Sequence, residues 1–277
     1  VKFRSSLGVL TNVELDHTDH YPDLEALITT LQRFAGNSER LLANRDCPIL
    51  RERFKPAHWW SIETTEGMSF AAMAREERGD GTVADFYEDG KAVGSFELPL
   101  PGRHNLSNAV AAMAACRLEG VSFAELRQAV ANLQTPGRRF DFRGLWEGRL
   151  VVDDYAHHPS EVAATLAMAQ LMLTSGRSPL PVNPKRLVAV FQPHRYTRTA
   201  QFLDGFAQAL SQADLVLIAP LYAAGEAPIP GVSSAALAKA VQDLAPLSRV
   251  EVATSLDELA RQVADASIEG DLVLAMG

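Results

Sequence analysis

LVVDDYAHHPSEVAATLAMAQLML, residues 150–173, decides the fold. An apolar run ends abruptly in two acids, a tyrosine and a histidine pair. Pro159 then opens a segment in which Val162, Leu166, Ala169 and Leu173 share one helical face. The same order of strand, polar loop and helix returns downstream, with buried-strand patterns at 187–191, 215–219 and 272–275 separated by helical segments. Strands alternating with helices predict a parallel sheet covered by crossover helices, an α/β Rossmann-like domain. The Pro- and Ser-rich stretch 175–184 reads as a surface loop within it.

Working back from that domain, Thr135-Pro136-Gly137 interrupts the helical pattern and places a hinge, giving domains 1–136 and 137–277. Two domains suit 277 residues when one domain takes roughly 150. Upstream, 7–12 reads as a buried strand running into a polar loop, and Leu24, Leu27, Ile28, Leu31 and Phe34 recur at helical spacing. Short β-type runs between 41 and 98, punctuated by turn signals at 79–81 and 89–90, predict a small mixed or antiparallel sheet. The Ala-rich stretch 106–118 is helical and ends at Gly120; Ser122 and Glu125 then form a capping box for the next helix.

Composition excludes several classes. Hydrophobic residues at 47% and charged residues at 22% describe an ordinary globular chain. A net charge of -8 argues against a nucleic-acid surface, which needs a basic face. Cys47 and Cys116 have no partners at metal-ligand spacing, so a reducing cytoplasm is expected. The longest apolar runs, such as 215–221, fall short of the ~20 residues of a membrane span. A first residue of Val1 rather than Met leads us to expect a fragment.

Ligands of such sheets sit beyond the carboxyl ends of the strands, so the residues following each strand carry the functional reading. TNVELDHTDH at 11–20 crowds three acids and two histidines at a strand exit. Asp16 and His17 can hold a divalent cation, although magnesium prefers oxygen; a solvated loop with capping acids is the alternative. In PGRHNLSNA at 101–109, Asn105 and Asn108 lie on one helical face and can offer an adenine both a donor and an acceptor, unless Asn105 is simply a cap. VVDDYAHHPS at 151–160 collects more titratable groups than a surface loop usually does and points to a site. In FQPHRYTRT at 191–199, Arg195 and Arg198 stand one turn apart at a helix start, where two cations oppose the helix dipole unless an anion sits between them. Arg138 and Arg139 follow the hinge, and YAAGEAPIPG at 222–231 suggests a rigid wall.

Taken in order, TNVELDH, PGRHNLSNA, TPGRRFDF, DDYAHHPSEV, FQPHRYTRT and YAAGEAPIPG resemble the signatures of the Mur ligase family of peptidoglycan synthesis, and the likeness runs along essentially the whole chain. The resemblance implies a partial central ATPase domain over 1–136, followed by a Rossmann-like amino-acid-binding domain over 137–277. It implies His17 as a ligand of Mg2+ supported by Asp16, and His104, Asn105 and Asn108 along the adenine of ATP. Arg139 would reach the phosphates, and Asp154, Tyr155 and His157 would line the reaction cleft. Asp154, His157 and Arg139 are thus the catalytic candidates, while Tyr155, His194, Arg195 and Arg198 bind substrate, the last three receiving the alanyl carboxylate. The strings are most similar to those of members that join L-alanine to UDP-N-acetylmuramate. In that reaction the muramoyl carboxylate forms an acyl phosphate with ATP, and the alanine amine displaces the phosphate. The family's Gly-Lys-Thr phosphate loop does not occur in this sequence. The expectation is therefore an N-terminal domain supplied in cis, and no turnover by these residues alone. Two rivals remain: a ligase recycling murein tripeptide, against which FQPHRYTRT argues, and a non-catalytic binding module.

Overall fold

The computed structural model describes residues 4–16 and 20–277. The chain divides into two compact units, Val1–Glu77 with Gly81–Gln134, and Arg78–Asp80 with Thr135–Gly277. Among the described residues no helix is long and apolar enough to cross a membrane.

In the first unit the opening apolar run forms β1 (Ser5–Leu10), and the helical spacing after it forms α1 (Leu24–Gly36). Asp23 caps α1, its Oδ1 accepting from the Ala26 amide at 2.8 Å. There follow β2 (Ser38–Asn44), α2 (Pro48–Arg53), β3 (His58–Ser61), β4 (Phe70–Arg78), β5 (Gly81–Glu88), β6 (Lys91–Leu98), α3 (Arg103–Leu118) and α4 (Phe123–Val130). The strands make one sheet in the order β1-β2-β3-β4-β5-β6, parallel from β1 through β4 and antiparallel between β5 and β6.

This sheet is mixed, but it is larger than one confined to 41–98, because β1 joins it. Helices α1 and α2 supply the crossovers that the parallel pairs β1/β2 and β2/β3 require. The β3/β4 pair needs none. Only the end of β3, Trp60 and Ser61, meets the start of β4, Phe70 and Ala71, so the chain loops back over two residues rather than a whole strand. Alternation along β2 builds both faces of the sheet. Leu42 packs with Trp60, Phe86, Leu106, Val110 and Met113, while Leu41 and Ala43 pack with Ile28, Leu50 and Phe54. The expected capping box is present at α4: Ser122 Oγ accepts from the Glu125 amide at 3.3 Å and Glu125 Oε2 from the Ser122 amide at 3.0 Å.

The second unit contains β7 (Asp141–Trp146), β8 (Arg149–Asp154), α5 (Pro159–Ser175), β9 (Arg186–Phe191), α6 (Tyr196–Gln201), α7 (Leu203–Leu210), β10 (Leu215–Ile218), α8 (Ser234–Leu244), β11 (Arg249–Val252), α9 (Leu256–Ala266) and β12 (Asp271–Met276). The sheet order is β11-β10-β9-β12-β8-β7, with every neighbouring pair parallel except β7 and β8. The chain steps one way from β8 through β9 and β10 to β11, then returns to place β12. Right-handed crossovers must put the outgoing helices on one face and the returning helix on the other. The packing follows. Residues of α5, α7 and α8 such as Leu166, Phe206 and Leu237 share a core with Val152, Leu187, Ile218 and Leu274, while Val263 of α9 packs against Val188, Leu215, Leu217 and Val273. Central strand β9 is buried on both sides, as the unbroken apolar run Leu187-Val188-Ala189 requires.

A buried ion pair fastens the start of β9 to the start of β12. Asp271, with its side chain only 2% exposed, accepts from Arg186 Nε at 3.0 Å and Nη2 at 2.5 Å, and from the Ile268 amide at 2.8 Å. The bonds from Asp271 raise the Arg186 pKa further, against the opposing effect of burial.

Candidate functional site

The loops after β8, β9 and β10 meet at the carboxyl edge of the second unit's sheet. Asp154 ends β8 with its carboxylate turned back into the protein. Its Oδ2 accepts from the Phe140 amide at 2.7 Å, and its Oδ1 from the Ala156 amide at 2.8 Å and the Thr165 hydroxyl at 3.3 Å. The Tyr155 amide donates to the Arg138 carbonyl at 2.9 Å. These bonds hold 138–140 against the end of β8 and sustain left-handed backbone at two non-glycine residues, Arg138 (φ 62°) and Phe140 (φ 50°).

The side chains follow from that fixed backbone. Arg138 and Arg139 lie 4.4 and 5.7 Å from the centroid of the exposed Tyr155 ring. Arg139 also stands 3.5 Å from Glu161. The other oxygen of Glu161 accepts from the His157 and His158 amides at 3.1 and 3.3 Å, satisfying donors at the start of α5. His157 packs edge-on against Tyr155, with Nδ1 at 2.8 Å from the Tyr155 carbonyl and 3.4 Å from Glu161. Two acceptors around Nδ1 place the proton of the neutral ring there and leave Nε2 with the lone pair.

The loops after β9 and β10 are laced together. The Tyr222 amide donates to the Pro193 carbonyl and the Arg195 amide to the Tyr222 carbonyl, both at 2.8 Å. The His194 and Tyr222 rings lie 5.1 Å apart. Arg195 is the N-cap of α6 with φ 68°, and its carbonyl takes the amide and hydroxyl of buried Thr199 at 3.1 and 2.8 Å. Glu226, from the loop after β10, accepts from the Thr197 amide at 3.0 Å and the Thr197 hydroxyl at 2.7 Å. Burial alone would raise the Glu226 pKa, but these bonds and the Arg195 charge outweigh it and hold the carboxyl below its ordinary range.

Burial, and then the charges of Arg198, Arg195 and His157, push the His194 pKa down, with Glu226 opposing. The ring therefore takes up its proton at a lower pH than a free imidazole does. We expect an NMR titration to place its midpoint below that of a free imidazole, and Arg198→Gln to move it upward. An unmoved midpoint in that variant would show that the two groups do not share a field.

In the first unit, Asn105 does not cap α3. Gly102 is the N-cap, at a φ of 96° that suits glycine, and the Asn105 amide group donates to the Pro101 carbonyl at 2.7 Å. His104 is half-buried and Asn108 exposed on the same opening turns. Asp16 is half-buried after β1, and His17 lies outside the described residues. Among the described residues no three His, Cys, Asp or Glu side chains converge on a common point. The sequence contains no phosphate loop. A cavity of about 530 Å³ lies past the ends of β2 and β3, lined by Arg45, Arg51, Glu63 and Glu66 among others.

Sequence reasoning missed two residues here. Glu161 was open to discovery, since it stands three positions after the N-cap His158. Glu226 carried no local signal, because its partners lie 29 residues away.

Comparison with known proteins adds a second line of observation. The model of the Mur ligase middle domain matches residues 1–116, and that of the Mur ligase glutamate ligase domain matches residues 138–277. The chain is 61% identical over its full length to the UDP-N-acetylmuramate--L-alanine ligase of Synechococcus sp. (strain CC9605), covering 59% of that protein. It is 60% identical to the ligase of the same name from Prochlorococcus marinus (strain MIT 9303), covering 57% of it. The crystal structure of the UDP-N-acetylmuramate-alanine ligase of Thermotoga maritima shares the fold, with a TM-score of 0.75 at 21% identity over 98% of this chain and 56% of that one. The chain thus spans less than two thirds of the length of these relatives. With two successive domain models of one family matched along it, the chain belongs to the Mur ligase family.

Proposed function

We propose that the chain serves an ATP-dependent ligase that joins L-alanine to UDP-N-acetylmuramate in the cytoplasmic stage of peptidoglycan synthesis. In this reading 1–136 is part of the central ATP-binding domain and 137–277 binds the amino acid. The relatives' names support the substrates. The observation that carries the role of the second unit is the cationic edge made by Arg195 at the N-cap of α6 and Arg198 within that helix, whose charges also lower the pKa of His194 beside them.

An amino acid has two demands that this edge meets. Its carboxylate needs a guanidinium partner, and its ammonium must lose a proton before the amine can attack an activated acyl group. Arginine charges answer the first. They also disfavour a further cation nearby, which eases the second. His157, with its Nδ1 proton fixed by the Tyr155 carbonyl, has Nε2 available to accept that proton. Asp154 serves as a positioning residue, since its oxygens already hold Phe140, Ala156 and Thr165. Arg139 is assigned to the phosphate side of the reaction.

In the full-length ligase, Arg195→Gln or Arg198→Gln is expected to raise the KM for L-alanine roughly 10- to 100-fold, the loss of one charge-assisted hydrogen bond of about 1.5–3 kcal/mol. The KM for ATP should stay within about twofold. Equal rises for both substrates would refute the assignment of this edge to the amino acid.

A further inference from the structure

The amino-acid reading leaves one charged group of this edge without a task. Glu226 is set on the loop after β10, yet its carboxylate serves the helix that follows β9. Helix α6 begins without a side-chain cap of its own. Glu226 supplies the missing acceptor from 29 residues along the chain, taking the Thr197 amide on one oxygen and the Thr197 hydroxyl on the other. The second oxygen also stands 3.7 Å from Arg195 Nη1. The Arg195 main chain is fixed as well, through its amide to Tyr222 and its carbonyl to Thr199.

We propose that Glu226 is the positioning residue of the amino-acid carboxylate site: it caps α6 and tethers the Arg195 guanidinium in a preset orientation for the substrate. The inference rests on the reading of this edge given above. An acid beside the binding arginine could instead repel the incoming carboxylate or occupy its place. Two observations argue against that. The separation of 3.7 Å exceeds hydrogen-bonding distance, so Glu226 acts on the guanidinium through its charge and forms no hydrogen bond with it. Elsewhere in the chain a fully engaged pair, Arg53 with Glu25, closes to 2.6 and 2.7 Å through two bonds. The charge of Glu226 is also drawn toward Thr197 by two hydrogen bonds at the helix start, which compensates it locally.

Steady-state kinetics on the full-length ligase tests this. Glu226→Gln keeps an oxygen for the Thr197 amide but removes the charge that steers Arg195. It should raise the KM for L-alanine about tenfold, with kcat and the KM for ATP within about twofold. Glu226→Ala, which loses the cap too, should raise it further, and Glu226→Gln keeps the test decidable if the alanine variant does not fold. Combined with Arg195→Gln, the glutamine variant should add nothing, because its effect passes through Arg195. If Arg195→Gln raises the KM for L-alanine and Glu226→Gln does not, the positioning role is wrong while the site assignment stands. If neither raises it, both are wrong. Full additivity in the double variant would likewise overturn the positioning role, since Glu226 would then act apart from Arg195.

Discussion

Asp271→Ala is expected to destabilise the second unit by about 3 kcal/mol, toward the lower end of the roughly 3–5 kcal/mol typical of breaking a buried ion pair. The lower end applies because Arg186 keeps 35% of its side chain exposed and water can partly replace its partner. What is lost is still large. The Arg186 guanidinium gives up a two-point contact, the Ile268 amide loses its acceptor, and the first rung between β9 and β12 loses its side-chain lock. Against a typical domain stability of about 5–15 kcal/mol this is a sizeable fraction. Urea unfolding of the second unit's transition measures it. Asp271→Asn, which keeps an oxygen for the Ile268 amide, should fall between the two. A loss below about 1 kcal/mol in the alanine variant would mean that solvent, rather than Asp271, already satisfies Arg186.

Asp154→Ala should cost a similar amount, about 3 kcal/mol, but by another route. No charge is stranded; instead the Phe140 amide, the Ala156 amide and the Thr165 hydroxyl lose their shared acceptor, and a buried unsatisfied donor costs about 1–3 kcal/mol. Phe140 is half-buried and can recover part of its bond from water, which keeps the sum near the stated value. Asparagine should help little here. Its NH2 group would face one of the donors that the carboxylate now receives, so Asp154→Asn should resemble the alanine variant more closely than the Asp271 pair of variants resemble each other. The diagnostic readout is hydrogen exchange at Phe140. Its amide should be protected in the native protein and exchange freely in either variant, as 138–140 escapes from left-handed backbone. Retained protection would show that the segment is held by something other than Asp154.

How much of this was legible beforehand depended on how local each determinant is. The strand patterns at 150–153, 187–191, 215–219 and 272–275 became β8, β9, β10 and β12; β9, β10 and β12 are nearly continuously apolar because parallel strands buried on both faces must be. The turn at Asp89-Gly90 was readable as well, and its φ values of 46° and 75° are those of a tight hairpin turn. Three strands escaped detection. β11 alternates charge with valine as Arg249-Val250-Glu251-Val252, and β7 contains Gly144 beside a register shift. β3 is only four residues long. At the site, the paired arginines near the start of α6 announced a need for negative charge, and sequence reasoning looked for it in a ligand. Part of that charge comes from Glu226, whose approach depends on how the loops after β9 and β10 are laced. Asp154 was likewise visible as a member of a titratable cluster, but its inward orientation depends on the left-handed residues 138 and 140, which no local pattern announces.

The placement of β12 bears on how this half of the molecule is born. β8 and β9 do not pair with each other; each pairs with β12, which is made more than a hundred residues after β8 begins. On the ribosome, the earlier two strands must therefore wait with open edges while α6 through α9 are synthesised. A nascent chain in that state has helices but a divided sheet, and the gap between β8 and β9 closes only when β12 slides into it. Chaperone capture during synthesis, rather than any weakness of the finished fold, is where this arrangement makes the protein vulnerable.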